Sequence, residues 1–441
     1  MYIKEVAASL YPWDLHDEGV DNIMENLQTH ANVNSVYLVG IMHNEKRPLR
    51  ELYYPHNPNR KFYIPEDSRV YYNMDLENFK NTPLKPMFSN VEWLKDTDWL
   101  DKLTQGARKH GLKVGSEISH TTFDSKVMLE KFPHLLQRNV KGELVGGIGP
   151  KGQLPCPNSD DVREYIKNLF YDTCKNHDID FIQSCMVLFK EGKHLDNHNT
   201  SNESELSILL GTATGGCFCD HCKEKAIQKG YDWDTIVHDL DKLYDLQTED
   251  DFTNMMEKKL LEKGNLTATG FLLENPSLHQ WLKFRQESIT SLFKDIYEAI
   301  KSANDKVEFR YNTYLKYPET AGLSFSEVRN YVDSIRESDY CETIGTLDAL
   351  KAKEEKCMKI RKGIGYEKDL IASIDVRPNR QGGSNEDIVK ESTRALTDYG
   401  IDGISLGHYD EATFGRLKAI KQGMEEGEIE IQTPSEELVN P

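Results

Sequence analysis

Short β-rich runs alternate with amphipathic helical runs eight times along this chain of 441 residues, and that alternation constrains the fold more than any other feature. The predicted strands cover 6–11, 35–41, 112–118, 180–187, 307–313, 339–343, 370–375 and 403–407. Between them lie helical patterns at about 19–29, 99–109, 160–176, 278–303, 324–336, 348–361 and 387–399, and a last one at about 413–424. Near-continuous apolar strands separated by helices indicate a parallel sheet covered on both faces. Eight such units predict an α/β fold, the closed (β/α)8 barrel. Ser159 or Asp160, Ser324 and Asn385 stand where helices need N-caps, and Gly111 and Gly400 stand where helices end.

Length alone suggests two or three domains, but barrels of this class run long as single units. The barrel is expected over residues 1–428, with an acidic, frayed tail at 429–441. Two connections exceed what a barrel needs. Residues 42–95 follow strand two and include Tyr53-Tyr-Pro-His-Asn-Pro-Asn-Arg60; residues 188–277 follow strand four and form an insertion. Both would lie on the C-terminal face of the barrel, where active sites are built.

That insertion holds Cys217-Phe-Cys219-Asp-His-Cys222, while Cys156 stands upstream in Leu-Pro-Cys-Pro-Asn-Ser. Three thiols within six residues can surround one soft ion, and a fourth from a neighbouring loop closes a tetrahedron. A closed four-thiolate site leaves no position for substrate, which makes it structural. His221 is an alternative to Cys156 as fourth ligand. Cys174, Cys185, Cys341 and Cys357 read as ordinary buried thiols.

Reactive groups in a parallel barrel come from strand C-termini. Those positions carry Trp13 and Asp14, His43, Glu117 and His120, Gln183 and Ser184, Asn312 and Tyr314, Glu342, Asp375 and Arg377, and His408, Tyr409 and Asp410. The ring has carboxylates, imidazoles and aromatics. Gly146-Gly-Ile-Gly-Pro150 lacks the lysine and the preceding strand of a phosphate-binding loop. Aromatic faces stack on sugar rings, carboxylates and amides bind hydroxyls, and two opposed carboxylates can cleave a glycosidic bond. Glu342 and Asp375 form the leading catalytic pair, with Glu117 and Asp410 in reserve. Trp13, Tyr314 and Tyr409 would stack on sugar, and Arg377, Asn312, His120 and His408 would bind hydroxyls or a carboxylate of the sugar.

The Cys156-Pro-Asn-Ser and Cys217-x-Cys219-x-x-Cys222 runs resemble those of the glycoside hydrolases of the family 42 β-galactosidase type. Pro157-Asn-Ser-Asp-Asp-Val-Arg-Glu-Tyr165 is similar to a helix start common in these barrels, and Trp281-Leu-Lys-Phe-Arg285 to another of their helices. The resemblance spans roughly residues 100–300. It implies a (β/α)8 barrel with a structural zinc on Cys156, Cys217, Cys219 and Cys222. That family carries an Asn-Glu pair at the end of strand four and a Glu nucleophile on strand seven. This chain has Gln183-Ser184 and Asp375 there, so no acid carries over at strand four.

A carbohydrate-active enzyme is therefore expected, a glycoside hydrolase acting on a short or exo-type saccharide. One rival is a metal-dependent sugar isomerase, epimerase or lyase using Glu117, His120, His408 and Asp410 as ligands. Another is a barrel that binds sugar without cleaving it. A formal net charge of -19 argues against nucleic acid or an anionic membrane surface as partner. A small saccharide is the expected partner, and homo-oligomer formation stays open. No apolar run approaches membrane-spanning length. Met1-Tyr-Ile-Lys-Glu-Val6 lacks the regions of a signal peptide, so a cytoplasmic location is expected, or a periplasmic or secreted one if a leader has been removed.

Overall fold

The computed structural model describes residues 1–41, 56, 69–118, 123–146, 154–185, 188–190, 205–246, 267–339, 341–377 and 385–432. Eight parallel strands close into a barrel in chain order: β1 (Glu5–Leu10), β2 (Ser35–Ile41), β3 (Lys113–Ile118), β4 (Phe181–Ser184), β5 (Glu308–Thr313), β6 (Ser334–Glu337), β7 (Asp369–Asp375) and β8 (Gly403–Gly407). Seven long helices return the chain between strands or follow the last: α1 (Val20–Ala31), α2 (Trp99–Lys109), α3 (Asp160–Asn176), α4 (Pro276–Ala303), α5 (Leu347–Ile364), α6 (Glu386–Ala395) and α7 (Phe414–Glu426). The (β/α)8 barrel read from the alternation is the fold.

Helix starts are fixed by side-chain caps. Asp98 accepts from Asp101 N at α2, Thr346 from Ala349 N at α5, Asn385 from Ile388 N at α6, and Thr413 from Arg416 N at α7. One large apolar cluster fills the layer between strands and helices, with Val6, Val36, Val114, Ile182, Phe309, Ile335, Leu370 and Ile404 pointing outward into it. A second, small cluster of Ala7, Tyr37 and Phe181 lies inside the barrel. Phe181 fits because its register partner is Gly115, where a Cβ would come within 2.3 Å of the Phe181 ring.

The sixth strand corrects the sequence reading. The chain builds β6 from Ser334–Glu337, inside what was predicted as helix, and 341–343 is one 3-10 turn. The expected helix 324–336 is two short turns, Phe325–Val328 and Arg329–Tyr331. The cause is Arg336: it points into the barrel, where its Nε donates to Ser405 Oγ at 2.8 Å. An inward arginine breaks the apolar run by which a buried strand is recognised.

Tyr2–Ile3 pairs in parallel with Glu430–Ile431, so the described part of the expected frayed tail is paired instead. The insertion after β4 contributes helices Glu205–Thr214, Asp220–Gln228, Trp233–Leu246 and Ala268–Glu274. No helix among the described residues is long and apolar enough to cross a membrane.

Candidate active site and thiolate cluster

Alternation along each strand decides which residues face the barrel interior. Arg336 and Ser405 meet inside, and the register carries that facing around the barrel to Ser9, Tyr37, Glu117, Gln183, Arg310, Asn312 and Asp375. The C-terminal end of the interior is therefore polar. Gln183 Nε2 donates to Glu117 Oε2 at 2.6 Å, and Tyr37 OH lies 3.1 Å from Ser405 Oγ. Ser9 Oγ lies 2.9 Å from His408 Nδ1. Tyr11 stacks between Trp13 (centroids 4.5 Å, 10° between planes) and His408 (5.2 Å, 27°). Glu117, Tyr11, Tyr314, Arg377 and His408 are half-buried at the rim.

Asp375 ends β7 on this wall, 1% exposed. Arg377 clamps it: Nε donates to Oδ1 at 2.9 Å, Nη2 to Oδ2 at 2.9 Å, and the Arg377 backbone N–H to Oδ1 at 2.9 Å. A bidentate guanidinium presents a carboxylate as a fixed anion. β3 and β7 stand four strands apart in the ring of eight, so Glu117 and Asp375 face each other across the mouth.

Four residues named from the sequence sit elsewhere. Glu342 lies in the turn after β6, fully buried, and takes Lys353 Nζ at 2.6 Å, Ser392 Oγ at 2.5 Å and the Asp375 backbone N–H at 3.1 Å. Its side-chain partners come from α5 and α6, so it faces the helix layer and not the barrel mouth. Tyr409 is buried against α1, donating its hydroxyl to Glu18 Oε1 at 2.7 Å, with the His56 ring 4.1 Å from its own. Burial, then the neighbouring Glu18, push the Tyr409 hydroxyl pKa upward. Trp13 is 1% exposed and stacks against Tyr11. Asp410 is buried near Asp14, whose carboxyl is held well above its ordinary value by burial first and by Asp410 next.

His120, His43, Glu191 and most of Tyr53–Arg60 lie outside the described residues. The ligand set of the metal-dependent rival is not assembled among the described residues. Apart from the four thiols, the cluster with metal-ligand spacing is Asp98, Asp101 and His177, at the start of α2, where Asp98 already serves as cap. Tyr11 and Ser9 fall within the strand predicted over 6–11 and Arg336 within the helix predicted over 324–336, so none of the three stood out from the sequence.

Glu337 is the neighbour of Arg336 and points the other way, among Lys353, Lys356 and Asp339. Burial pushes its carboxyl up from an ordinary 4.5 to about 7, opposed by Lys353 and reinforced by Asp339. The folded chain thus holds this proton more tightly than the unfolded chain does. Stability from this group is fully present below about pH 4.5 and is lost as pH rises to about 7. Glu337→Gln is expected to flatten that part of the stability-versus-pH curve, read by urea denaturation from pH 4 to 8. An unchanged slope would place the titration elsewhere.

The four cysteines converge. Cys156, Cys217, Cys219 and Cys222 are all buried, with their sulfurs within 4.8 Å of one another. Cys156 Sγ lies 3.4 Å from Cys219 Sγ and 3.5 Å from Cys222 Sγ. Thiolates about 2.3 Å from a zinc ion stand about 3.8 Å apart, so the donor set fits a tetrahedral soft cation. His221 is not part of the group. Asn158 adds polar support, its backbone N–H reaching Cys156 Sγ and its Nδ2 reaching Cys222 Sγ, each at 3.4 Å. Burial pushes the Cys156 and Cys222 thiols up, while hydrogen bonds from the other thiols, first Cys156, pull Cys219 down.

The loop is held by the motif on α4. Phe218 stacks on Trp281 at 4.3 Å, Trp281 Nε1 donates to Ala213 O at 3.1 Å, and Arg285 donates to Thr212 O and Thr320 O. Gly216, at φ +105°, lets the chain pass Trp281, where a Cβ would lie 2.4 Å from the indole.

No family model matches the chain, and no curated protein matches it by sequence. Solved structures do match by shape. The glycoside hydrolase domain of PgaB (BpsB) from Bordetella bronchiseptica superposes with a TM-score of 0.56 at 11% identity, over 91% of this chain and 93% of that one. The β-galactosidase from the psychrophilic Marinomonas ef1 gives 0.53 at 12%, over 96% and 59%. The α-L-fucosidase isoenzyme 2 from Paenibacillus thiaminolyticus gives 0.53 at 12%, over 97% and 49%. The fold these structures share with the chain is the (β/α)8 barrel. The chain spans nearly all of the first neighbour and only half to three-fifths of the other two. At these identities the likeness concerns fold alone.

Proposed function

We propose that the protein is a carbohydrate-active enzyme, a glycoside hydrolase that acts on the end of a short saccharide. The observation that carries this reading is the pair of carboxylates facing each other across a polar barrel mouth, Glu117 on β3 and Asp375 on β7, beside the Tyr11 ring. Asp375, clamped by Arg377, serves as the anionic partner at the anomeric carbon, directly or through water. Glu117, oriented by Gln183 Nε2, delivers the proton to the leaving oxygen. His408 and Asn312 contact hydroxyls, and Tyr314 and Tyr11 flank the ring. Asp375 keeps the role expected from its position, and Glu117 replaces Glu342.

The thiolate cluster is read as the structural zinc site of barrels of the family 42 β-galactosidase type. Cys156, Cys217, Cys219 and Cys222 would hold the ion with all four positions filled, which lends rigidity and no chemistry.

A panel of aryl α- and β-glycosides of galactose, glucose and fucose tests the enzyme. On any glycoside cleaved, Glu117→Gln and Asp375→Asn are each expected to lower kcat by about 10²–10⁴-fold. Wild-type turnover in both variants would reject this pair. Gln183-Ser184 stands where the resembled barrels carry their Asn-Glu pair, so no acid stands there, which favours sugar binding without cleavage as the second reading. Binding without turnover across the panel would establish it.

A further inference from the structure

A buried polar group without a hydrogen-bond partner is costly and rare, so each one asks for a reason. Asn312 is 1% exposed, and neither its Nδ2 nor its Oδ1 meets a partner among the described residues. Gln183 is fully buried, and its Oε1 meets none either. The orientation of Gln183 follows from chemistry. The atom 2.6 Å from the Glu117 carboxylate must be a donor, which leaves Oε1 turned away as an acceptor. β4 and β5 are neighbours, and the register sets Gln183 beside Arg310, two residues before Asn312 on the same inner wall. Of the polar groups around them, Arg336 donates to Ser405 and Ser338 and Tyr37 reaches Ser405, while Arg310 Nη1 is a further buried donor that meets no partner among the described residues. Beneath, Phe181 and the Arg310 guanidinium stacked 4.3 Å from its ring close the barrel.

We infer that Asn312 and Gln183 form the closed end of the pocket and grip two adjacent hydroxyl groups of a terminal sugar ring, so that this carboxamide pair selects the sugar. The inference rests on the saccharide reading above. A hydroxyl both gives and takes a hydrogen bond. The Asn312 carboxamide gives N–H to one hydroxyl and takes O–H from its neighbour, and Gln183 Oε1 takes a second O–H. The three atoms are neutral and call for no charge on the ligand. Both carboxamides are buried while Glu117 is half-buried, so the gripped ring is the terminal one.

The test pairs a protein change with a ligand change. D-galactose, D-glucose, D-mannose and L-fucose, with their single-deoxy derivatives, are titrated by calorimetry into wild type and Asn312→Leu. Removing one partner of a buried hydrogen bond costs about 10–100-fold in affinity. The sugar that wild type binds best should lose that much in Asn312→Leu, and equally in wild type when one of the two hydroxyls is replaced by hydrogen. Asn312→Leu should no longer distinguish that deoxy sugar from its parent. The variant should melt at or above wild type, because it removes a polar group the fold leaves unsatisfied. Affinity within threefold of wild type, equal losses for every deoxy sugar in both proteins, or a clearly lower melting temperature would each overturn the assignment. The first would mean that the carboxamide holds water only. Failure of wild type to bind any of these sugars would instead overturn the saccharide reading, and this assignment with it.

Discussion

Cys219→Ser is expected to lower the melting temperature by about ten degrees or more and to abolish a stoichiometric zinc content. Structural zinc contributes about 10–16 kcal/mol of apparent binding free energy in small peptides at neutral pH, which rivals the about 5–15 kcal/mol net stability of a whole domain. Losing one of four thiolates forfeits a large part of that. The cluster joins the start of α3, through Cys156, to the insertion after β4, through the other three cysteines, so its loss unties two loops on the face that carries the mouth. Burial first, and then the neighbouring thiols, push the Cys156 and Cys222 thiols up, and a cation offsets the cost of holding four buried thiolates together. Zinc uptake should therefore release protons, and zinc should leave as pH falls. Metal analysis and thermal melts of Cys219→Ser, with Cys174→Ser as a buried control outside the cluster, read both effects. A metal-free wild type, or a Cys219→Ser melt equal to wild type, would sink the zinc assignment.

Lys353→Met is expected to cost about 3–5 kcal/mol, because it strips the cation bonded to the sealed Glu342 carboxylate. Both side chains are fully buried, so no solvent compensates for the loss. Glu342→Leu should cost a similar amount. The double variant should recover most of it, since an apolar pair of similar volume needs no desolvated charges. Urea denaturation of the four proteins yields the coupling energy. Additive costs would mean that the pair does not act as a unit. Lys353 Nζ also donates to Ser373 O at 2.5 Å, and Glu342 takes the Asp375 N–H, so the pair braces the end of β7. Glu342 thus has a role near the chemistry, although through backbone and not through substrate.

Strand positions were legible where apolar residues run without interruption, and β2, β5, β7 and β8 match to within a residue. β6 was not, because its four residues include Arg336 and Glu337, and the pattern of a buried strand is lost when both faces carry charge. That one displacement moved Glu342 to a strand end it does not occupy. Position along a strand also says little about facing, since one residue of slip turns a side chain from barrel to helix layer. Tyr409, two residues past the end of β8, shows this: it packs on α1 while His408 stays at the mouth. The cysteines were the easiest part of the site to read, because their chemistry depends on spacing and not on facing. The unpartnered Asn312 amide has no signature in the sequence, because lack of a partner is a property of the surroundings.

The floor of the barrel has a consequence for traffic. Tyr37, Phe181 and the Arg310–Glu5–Glu308 ion network fill the interior below the polar ring, with Arg310 Nη2 2.5 Å from Glu5 and 2.9 Å from Glu308. A saccharide cannot thread such a barrel; it enters and leaves by one door. On the proposed glycosidase reading, the sugar held deepest after cleavage would depart through the space the next substrate needs, so accumulated product would compete with substrate, and each encounter would remove one terminal unit before the chain end is found again.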